Sequence, residues 1–434
     1  MCSGRGRPPL RWALRGSGVR RAPATAGRSR PAGTVNGMPD PDATAPSDAP
    51  DDAPVVVSSV RGSFPWSVLA ERHPALLAKV EDAFPYGPDQ RRALAALLTN
   101  SSEGVIEPLP ASAPDRARWD AWGGRAYYGR SWFDVPFLWS ESYFYRQLLE
   151  AVDYFTPGPW QGIDPFRPFK LAELDSAEAE EELAALDDLG PRPVEEQEEA
   201  LLHGSLWGNR ADLGFRLQAA GGESTADSQL VADDGKMLRS LIAGGTLCLV
   251  ADNAGRELVP DLLLVDHLLR HGRARRAVLH LKPYPYYVSD ATTADVLDAL
   301  RRLTAADGAA GEAGRRLWAA LADGRLTLRA HPFACAPLPY ADLPEDLRQE
   351  FVAADVTVLK GDLNYRRLIG DRLHPATTPF AEVTAYFPGA VAALRTLKSD
   401  VVVGLAPATE AALDAAEGGR WRTGGTHALI QARR

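Results

Sequence analysis

Apolar positions along the chain follow two rhythms. After a Pro65-Trp66-Ser67 start, Leu69, Leu76, Leu77 and Val80 recur at roughly helical spacing, and an aromatic-rich stretch from Trp132 through Tyr143, Phe144 and Tyr145 to Val152 repeats the pattern. Both predict packed helices. Between about Ala172 and Leu202, leucine and alanine are mixed with acid, including Glu178, Glu180, Glu181 and Glu182. Such a run reads as a helical face turned to water rather than as a metal site. Past residue 235, short apolar runs alternate with amphipathic stretches. Strands are expected over 245–250, 277–281, 326–330, 356–359 and 401–405, and helices over 258–270, 293–303 and 343–352. That alternation predicts an α/β fold with a mostly parallel sheet covered on both faces.

Three regions follow: a tail over 1–54, a mainly helical N-terminal subdomain over 55–235 that includes the acidic segment 172–202, and an α/β domain over 236–434. The tail is rich in Arg, Pro, Gly and Ser, then in Asp, Pro and Ala, and neither composition supports a core. Its arginine-rich opening suits a transit peptide, while Met38 favours the plainer reading that translation starts there. Charge sharpens the division. The first 37 residues hold eight arginines and no acid, so the rest carries 40 basic against 57 acidic side chains, or −17, compared with −9 for the whole chain. An acidic body lacks the basic footprint of non-specific nucleic-acid binding. No run of 18 apolar residues occurs, so no membrane span is expected. Cys2, Cys248 and Cys335 are too few and scattered for a disulfide framework and fit a reducing cytoplasm.

In parallel sheets, ligands sit beyond the carboxyl ends of strands. Four polar clusters fall at such places: Asp252-Asn253-Ala254-Gly255-Arg256-Glu257, Val288-Ser289-Asp290, Lys360-Gly361-Asp362-Leu363-Asn364-Tyr365-Arg366, and Arg395-Thr396-Leu397-Lys398 just before the last expected strand. Singly, an Asp-Asn or Ser-Asp before a helix is an ordinary cap, Asp362-Leu363-Asn364 an ordinary turn and Lys398 a solvated helix end. Capping alone does not explain four on one rim. Asp252, Asn253 and Asp290 make an oxygen donor set for a hard divalent cation such as Mg²⁺ or Mn²⁺. Lys360, Arg366 and Lys398 supply positive charge for an anionic substrate, with phosphate the natural candidate. Gly361 would allow close backbone approach. His280 and His331 read as core or rim residues and Cys248 as a small core residue. The stretch Ser205 to Asp212 reads as a loop anchored by Trp207, with Asn209 and Asp212 as further pocket candidates.

These clusters resemble the damage-control phosphatase family, specifically its third subfamily, which includes proteins described as protein-glutamate methyltransferases. Trp207-Gly208-Asn209 and Ser140 to Arg146 are similar to further family stretches, and the likeness runs from about Ser63 to Leu405. It implies a three-layer α/β/α sandwich with a helical N-terminal part and a metal-dependent phosphatase acting on small phosphorylated metabolites, with fructose 1-phosphate and fructose 6-phosphate favoured. It implies a Mn²⁺, Mg²⁺, Co²⁺ or Ni²⁺ ion on Asp252, Asn253 and Asp290. The substrate-binding set it implies is Asp252, Asn253, Glu257, Lys360, Asp362, Leu363, Asn364, Tyr365, Arg366 and Lys398, with Asp252, Asp290, Asp362 and Lys398 catalytic. A coordinated water would attack phosphorus while Lys398 and Arg366 neutralise charge, and either Asp362 or Glu257 would be the base.

Two rivals stand beside this expectation. Methyl transfer from S-adenosylmethionine to protein carboxylates would call for a glycine-rich loop after the first strand, whereas Gly244-Gly245 precedes it. A non-catalytic sugar-phosphate-binding regulator would need no complete charged set.

Overall fold

Strand β2 (Thr246–Val250) shows why the sheet is buried. Leu247 and Leu249 turn into one apolar core and Cys248 and Val250 into another, so a continuous apolar run satisfies both faces. In the computed structural model, which describes residues 53–208 and 229–434, β2 is one of seven strands. The others are β1 (Leu230–Asp233), β3 (Arg276–Leu281), β4 (Leu326–Ala330), β5 (Val356–Lys360), β6 (Val391–Thr396) and β7 (Ala428–Arg433). Their spatial order is β1-β7-β6-β5-β2-β3-β4. All neighbours run parallel except β6 and β7. From β2 the chain winds outward through β3 to β4, then returns to β5 on the other side of β2. The direction of winding therefore reverses between β2 and β5, and the carboxyl ends of these two strands open a crevice.

Helices cover both faces. Relevant here are α1 (Phe137–Ala151), α2 (Arg167–Leu174), α3 (Ala177–Ala184), α4 (Val194–Trp207), α5 (Leu258–Arg270), α6 (Thr293–Ala305), α7 (Gly308–Asp323), α8 (Glu345–Val352) and α9 (Gly361–Leu368). Leucines and alanines of α4 to α7 bury one face, while α8, α9 and the segment around Val401–Leu405 bury the other. The architecture is thus an α/β/α sandwich. A separate aromatic core built on Trp119, Trp132, Trp139, Tyr143, Phe144 and Phe166 holds the N-terminal helices together.

The structure redraws three features expected from sequence. Residues 401–403 are buried, but 401–405 join no strand: their backbone partners are the 376–378 loop and side chains of Tyr365, Arg395 and Gln431. The strand there is β6, so Arg395 to Lys398 end a strand instead of preceding one. Second, the sheet takes in β1, below the expected boundary at 235/236, and β7. Third, the acidic segment belongs to the sheet unit: Leu174, Leu183, Leu186, Leu189, Leu201 and Leu202 all enter the core on the β2 Leu247 face. Most of the acids, Glu178, Glu180 and Glu181 among them, face outward and the leucines, at helical spacing, do the packing; Glu198 is buried and Glu182 is drawn in by Arg256. The tail to residue 52, with Cys2 and Met38, lies outside the described residues, as do Asn209 and Asp212. Among the described residues no helix is long and apolar enough to cross a membrane, and Cys248 and Cys335 are buried and unpaired.

Candidate active site

The pairing of Val250 with Leu359 brings the residues that follow β2 and β5 side by side. Asp252 and Gly361 meet there. Gly361 has φ +85°, and a Cβ on it would overlap the Asp252 carboxylate. Glycine is required twice, for a backbone that L residues rarely adopt and for the space the carboxylate fills. Gly361→Ala is expected to lower stability by about 1–3 kcal/mol, read as a drop in melting temperature, and to turn Asp252 away from its present position.

Around this contact lies a cleft of about 440 Å³, lined by Ser205, Trp207, Gly208, Asp252, Asn253, Glu257, Asp261, Lys360, Gly361, Thr396 and Lys398 among others. The loops after β2 and β3 are stitched together. Ala254 N donates to Ser289 O at 2.6 Å, Ala291 N to Asp252 O at 2.9 Å, and Ser289 Oγ to Asn253 Oδ1 at 2.7 Å. Asn253 Nδ2 donates to Glu257 Oε2 at 2.7 Å and to Asp252 Oδ2 at 3.3 Å. Asp290 is buried, takes Tyr287 N at 3.3 Å, and has the Lys282 ammonium 3.7 Å away. Burial first, then the Glu257 and Asp290 carboxylates, push the Asp252 carboxyl well above the ordinary range, against the pull of Lys398 and Lys360.

Lys360 crosses the floor of the cleft. Its ammonium donates to the Ser205 carbonyl at the end of α4 and sits 3.0 Å from Asp261 Oδ1, which also takes the Ser205 hydroxyl at 2.6 Å. Asp261 was not legible as a site residue, although it stands one helical turn beyond Glu257 on the same stretch of chain. Glu257 packs on Gly208, whose φ is +55° and whose Cβ would lie 2.8 Å from Glu257 Cγ. Lys398 completes the rim, and its charge reaches both Asp252 and Glu173.

Other expected site residues are placed elsewhere. Asp362 gathers its contacts on Oδ1: Arg395 Nε at 2.8 Å, Lys398 N at 3.3 Å and Ser399 Oγ at 3.1 Å. Burial would raise its pKa, but Arg395 and Arg366 outweigh that and hold it below the ordinary range. Its position is that of an anchor for the Lys398 backbone. Arg395 is fully buried and stacks 4.3 Å from the Tyr365 ring. Leu363 packs with Leu138, Tyr286 and Cys335. Asn364 is buried, taking the Tyr340 hydroxyl at 2.9 Å and donating to the Ala251 and Lys360 carbonyls. Tyr365 donates to Gln431 Oε1 at 2.9 Å. Arg366 lies 2.7 Å from Asp371 and 3.0 Å from Glu141 and covers the Phe137 ring. The side chains from Leu363 to Arg366 therefore face the interior, not the cleft. The fold does not present these side chains to the cleft, because α9 packs them against the interior.

A divalent cation was expected on Asp252, Asn253 and Asp290. Among the described residues no three acidic, histidine or cysteine side chains converge closely enough to enclose an ion by themselves. The donor chemistry nevertheless fits one. All donors are oxygens, and Asp252 sits half-buried near the Glu257 and Asp290 carboxylates, whose mutual repulsion a cation would relieve. Two carboxylates and an amide leave positions for water and substrate, as Mg²⁺-type sites do.

The chain is thus an open α/β protein with a cleft at the switch point of its sheet, where Asp252, Glu257 and Asp261 face Lys360 and Lys398. Residues 68–413 match the model of the damage-control phosphatase ARMT1-like domain, and the chain belongs to this family. It is 30% identical over 426 residues to the damage-control phosphatase ARMT1 of Danio rerio, covering 85% of this chain and 94% of that protein. The Rattus norvegicus protein of the same name is 29% identical over 442 residues, covering 85% and 96%. The Homo sapiens one is 28% identical over 429 residues, covering 84% and 95%. Among solved structures, the chain is similar to a DUF89 family protein from Pyrococcus horikoshii, with a TM-score of 0.43, 15% identity, and coverage of 83% of this chain and 96% of that one.

Proposed function

We propose that this chain is a metal-dependent phosphatase of small phosphorylated metabolites, with sugar phosphates such as fructose 1-phosphate or fructose 6-phosphate as the favoured class. Family membership supports phosphatase chemistry. The observation that carries the reading is the meeting, in one cleft, of Asp252 and Glu257 with Lys360 and Lys398, beside buried Asp290. A cation held by Asp252, Asn253 and Asp290 would supply charge for a phosphate oxygen. Lys398, on the rim, neutralises charge developing on the phosphoryl group. Lys360, anchored by Asp261, gives the floor a fixed positive end. Of the two candidate bases, Glu257 lines the cleft and is placed to take a proton from an attacking water, whereas Asp362 is held low and occupied by Arg395. The role expected of Arg366 in neutralising charge passes to Lys360.

The test is phosphate release from a panel of sugar phosphates by the metal-stripped chain, resupplied with Mg²⁺, Mn²⁺, Co²⁺ or Ni²⁺. Release is expected only with metal, and Lys398→Ala is expected to lower kcat/KM by about 10²-fold. Absence of release with every metal and substrate, in protein that still binds the cation, would overturn the reading.

A further inference from the structure

Lys170 lies outside the cleft and outside every motif read from the sequence, yet the residue is only 4% exposed and its ammonium is fully partnered. Its three N–H donors meet three acceptors: Asp164 Oδ2 at 2.9 Å, the Asp290 carbonyl oxygen at 2.9 Å and Asp295 Oδ2 at 3.0 Å. An ammonium has no more to give. Two of the three acceptors belong to the loop after β3 and to the first turn of the helix that follows it. One is the backbone of Asp290 itself. The other, Asp295, accepts from the Thr292 N–H at 2.8 Å and the Thr292 hydroxyl at 2.7 Å, and so closes the start of α6 just past Asp290.

The helix that carries Lys170 touches the other loop too. α2 lies against Gly255, which has φ +64°; a Cβ there would come 2.7 Å from Glu173 Oε2 and 3.3 Å from the Lys170 carbonyl oxygen. One short helix from the N-terminal half thus bears on both loops, the one holding Asp252 and Asn253 and the one holding Asp290. Hydrogen bonds between the loops set their lateral spacing. None of those bonds reaches the Asp290 carbonyl, whose partner among the described residues is the Lys170 ammonium.

We infer that Lys170 is a positioning residue for the cation site: its ammonium tripod fixes the Asp290 backbone relative to Asp252, so that the N-terminal half sets the affinity for the metal through a side chain that never touches it. The inference rests on the reading of Asp252, Asn253 and Asp290 as cation ligands. Removing an outer partner of a ligand typically costs 10–100-fold in affinity, and the same is expected here.

The experiment is calorimetric titration of the metal-stripped full chain with Mn²⁺, alongside melting without metal, for the parent protein, Lys170→Met, Lys170→Arg and Asp164→Asn. Lys170→Met is expected to weaken Mn²⁺ binding about tenfold or more. Lys170→Arg guards against misfolding, since it keeps the charge; its planar fork replaces the tripod, and it is expected to weaken binding in the same direction. Asp164→Asn removes only the leg that does not reach the ligand loop, and is expected to lower the melting temperature with Mn²⁺ affinity within about twofold of the parent. Parental affinity in both Lys170 variants, with melting lowered, would make Lys170 a stability residue and overturn the inference. Failure of the parent chain to bind Mn²⁺ at all would instead remove the cation reading beneath it, and the inference with it.

Discussion

Asp252→Asn is expected to abolish phosphate release, by about 10³-fold or more, while making the metal-free protein more stable. The two effects have one cause. Asp252 is half-buried and largely withdrawn from water, and the Glu257 and Asp290 carboxylates lie near enough to repel its charge, so the native state resists ionisation. A carboxyl whose pKa is higher in the folded than in the unfolded chain holds its proton more tightly when native. Stability then falls as pH rises from the ordinary carboxylate value, near about 4, through the raised one. The loss is about 1.4 kcal/mol for each unit of elevation. Asparagine removes this slope. Melting curves of metal-stripped protein are expected to coincide near pH 4 and diverge toward neutral pH, with the variant the more stable. Added Mn²⁺ is expected to raise the melting temperature of the parent and not of the variant. A variant less stable than the parent at neutral pH without metal would mean that the carboxylates do not oppose one another as described.

The second large effect concerns Arg366, which sequence reasoning assigned to substrate. Its guanidinium is buried between Glu141 and Asp371, and Asp371 Oδ2 also accepts the Leu138 N–H at 3.2 Å. Arg366→Met leaves two buried carboxylates without their cation, a loss of about 3–5 kcal/mol. Burial pushes Glu141 upward even with Arg366 beside it, so without Arg366 the carboxyl resists ionisation further. The deficit is expected to be small in acid, where the Glu141 carboxyl is protonated, and to grow as pH rises above the carboxylate range. Urea midpoints across pH measure it. In the fraction that remains folded, KM for the best sugar phosphate is expected to stay within about threefold of the parent. A tenfold rise in KM with unchanged stability would return Arg366 to the substrate.

The contrast between Asp252 and Arg366 marks what the sequence holds. β2, β3, β4 and β5 were legible because each is a short apolar run followed by a helix, and the polar residues after them were legible because they fall on one rim. The burial of Arg366 was not legible because a guanidinium suited to phosphate is the same group as one suited to a buried ion pair, and Glu141, its partner, lies 225 residues earlier. Asn364 and Tyr365 followed it, since the motif does not reveal which side of α9 faces inward. β6 was missed because Val391-Ala392-Ala393-Leu394 is built of small residues that do not look like a strand, while Val401-Val402-Val403 looks like one and pairs with none. Lys170 carried no signal, since a lone lysine among aromatics and prolines gives no hint of three acceptors spread over 131 residues.

The placement of β7 bears on how the chain assembles as it is made. β1 pairs only with β7, Leu230 opposite Ala428, and β7 also covers the free side of β6. A ribosome adding roughly 5–20 residues per second takes about 10–40 s to travel from β1 to β7. For that interval β1 has no neighbour and, once made, β6 presents an open edge. The cleft between β2 and β5 takes no lining residue from β1 or β7, so the nascent polypeptide can form its chemical centre before its sheet is closed. The stretch from β6 to β7 is where a chaperone has most to shield.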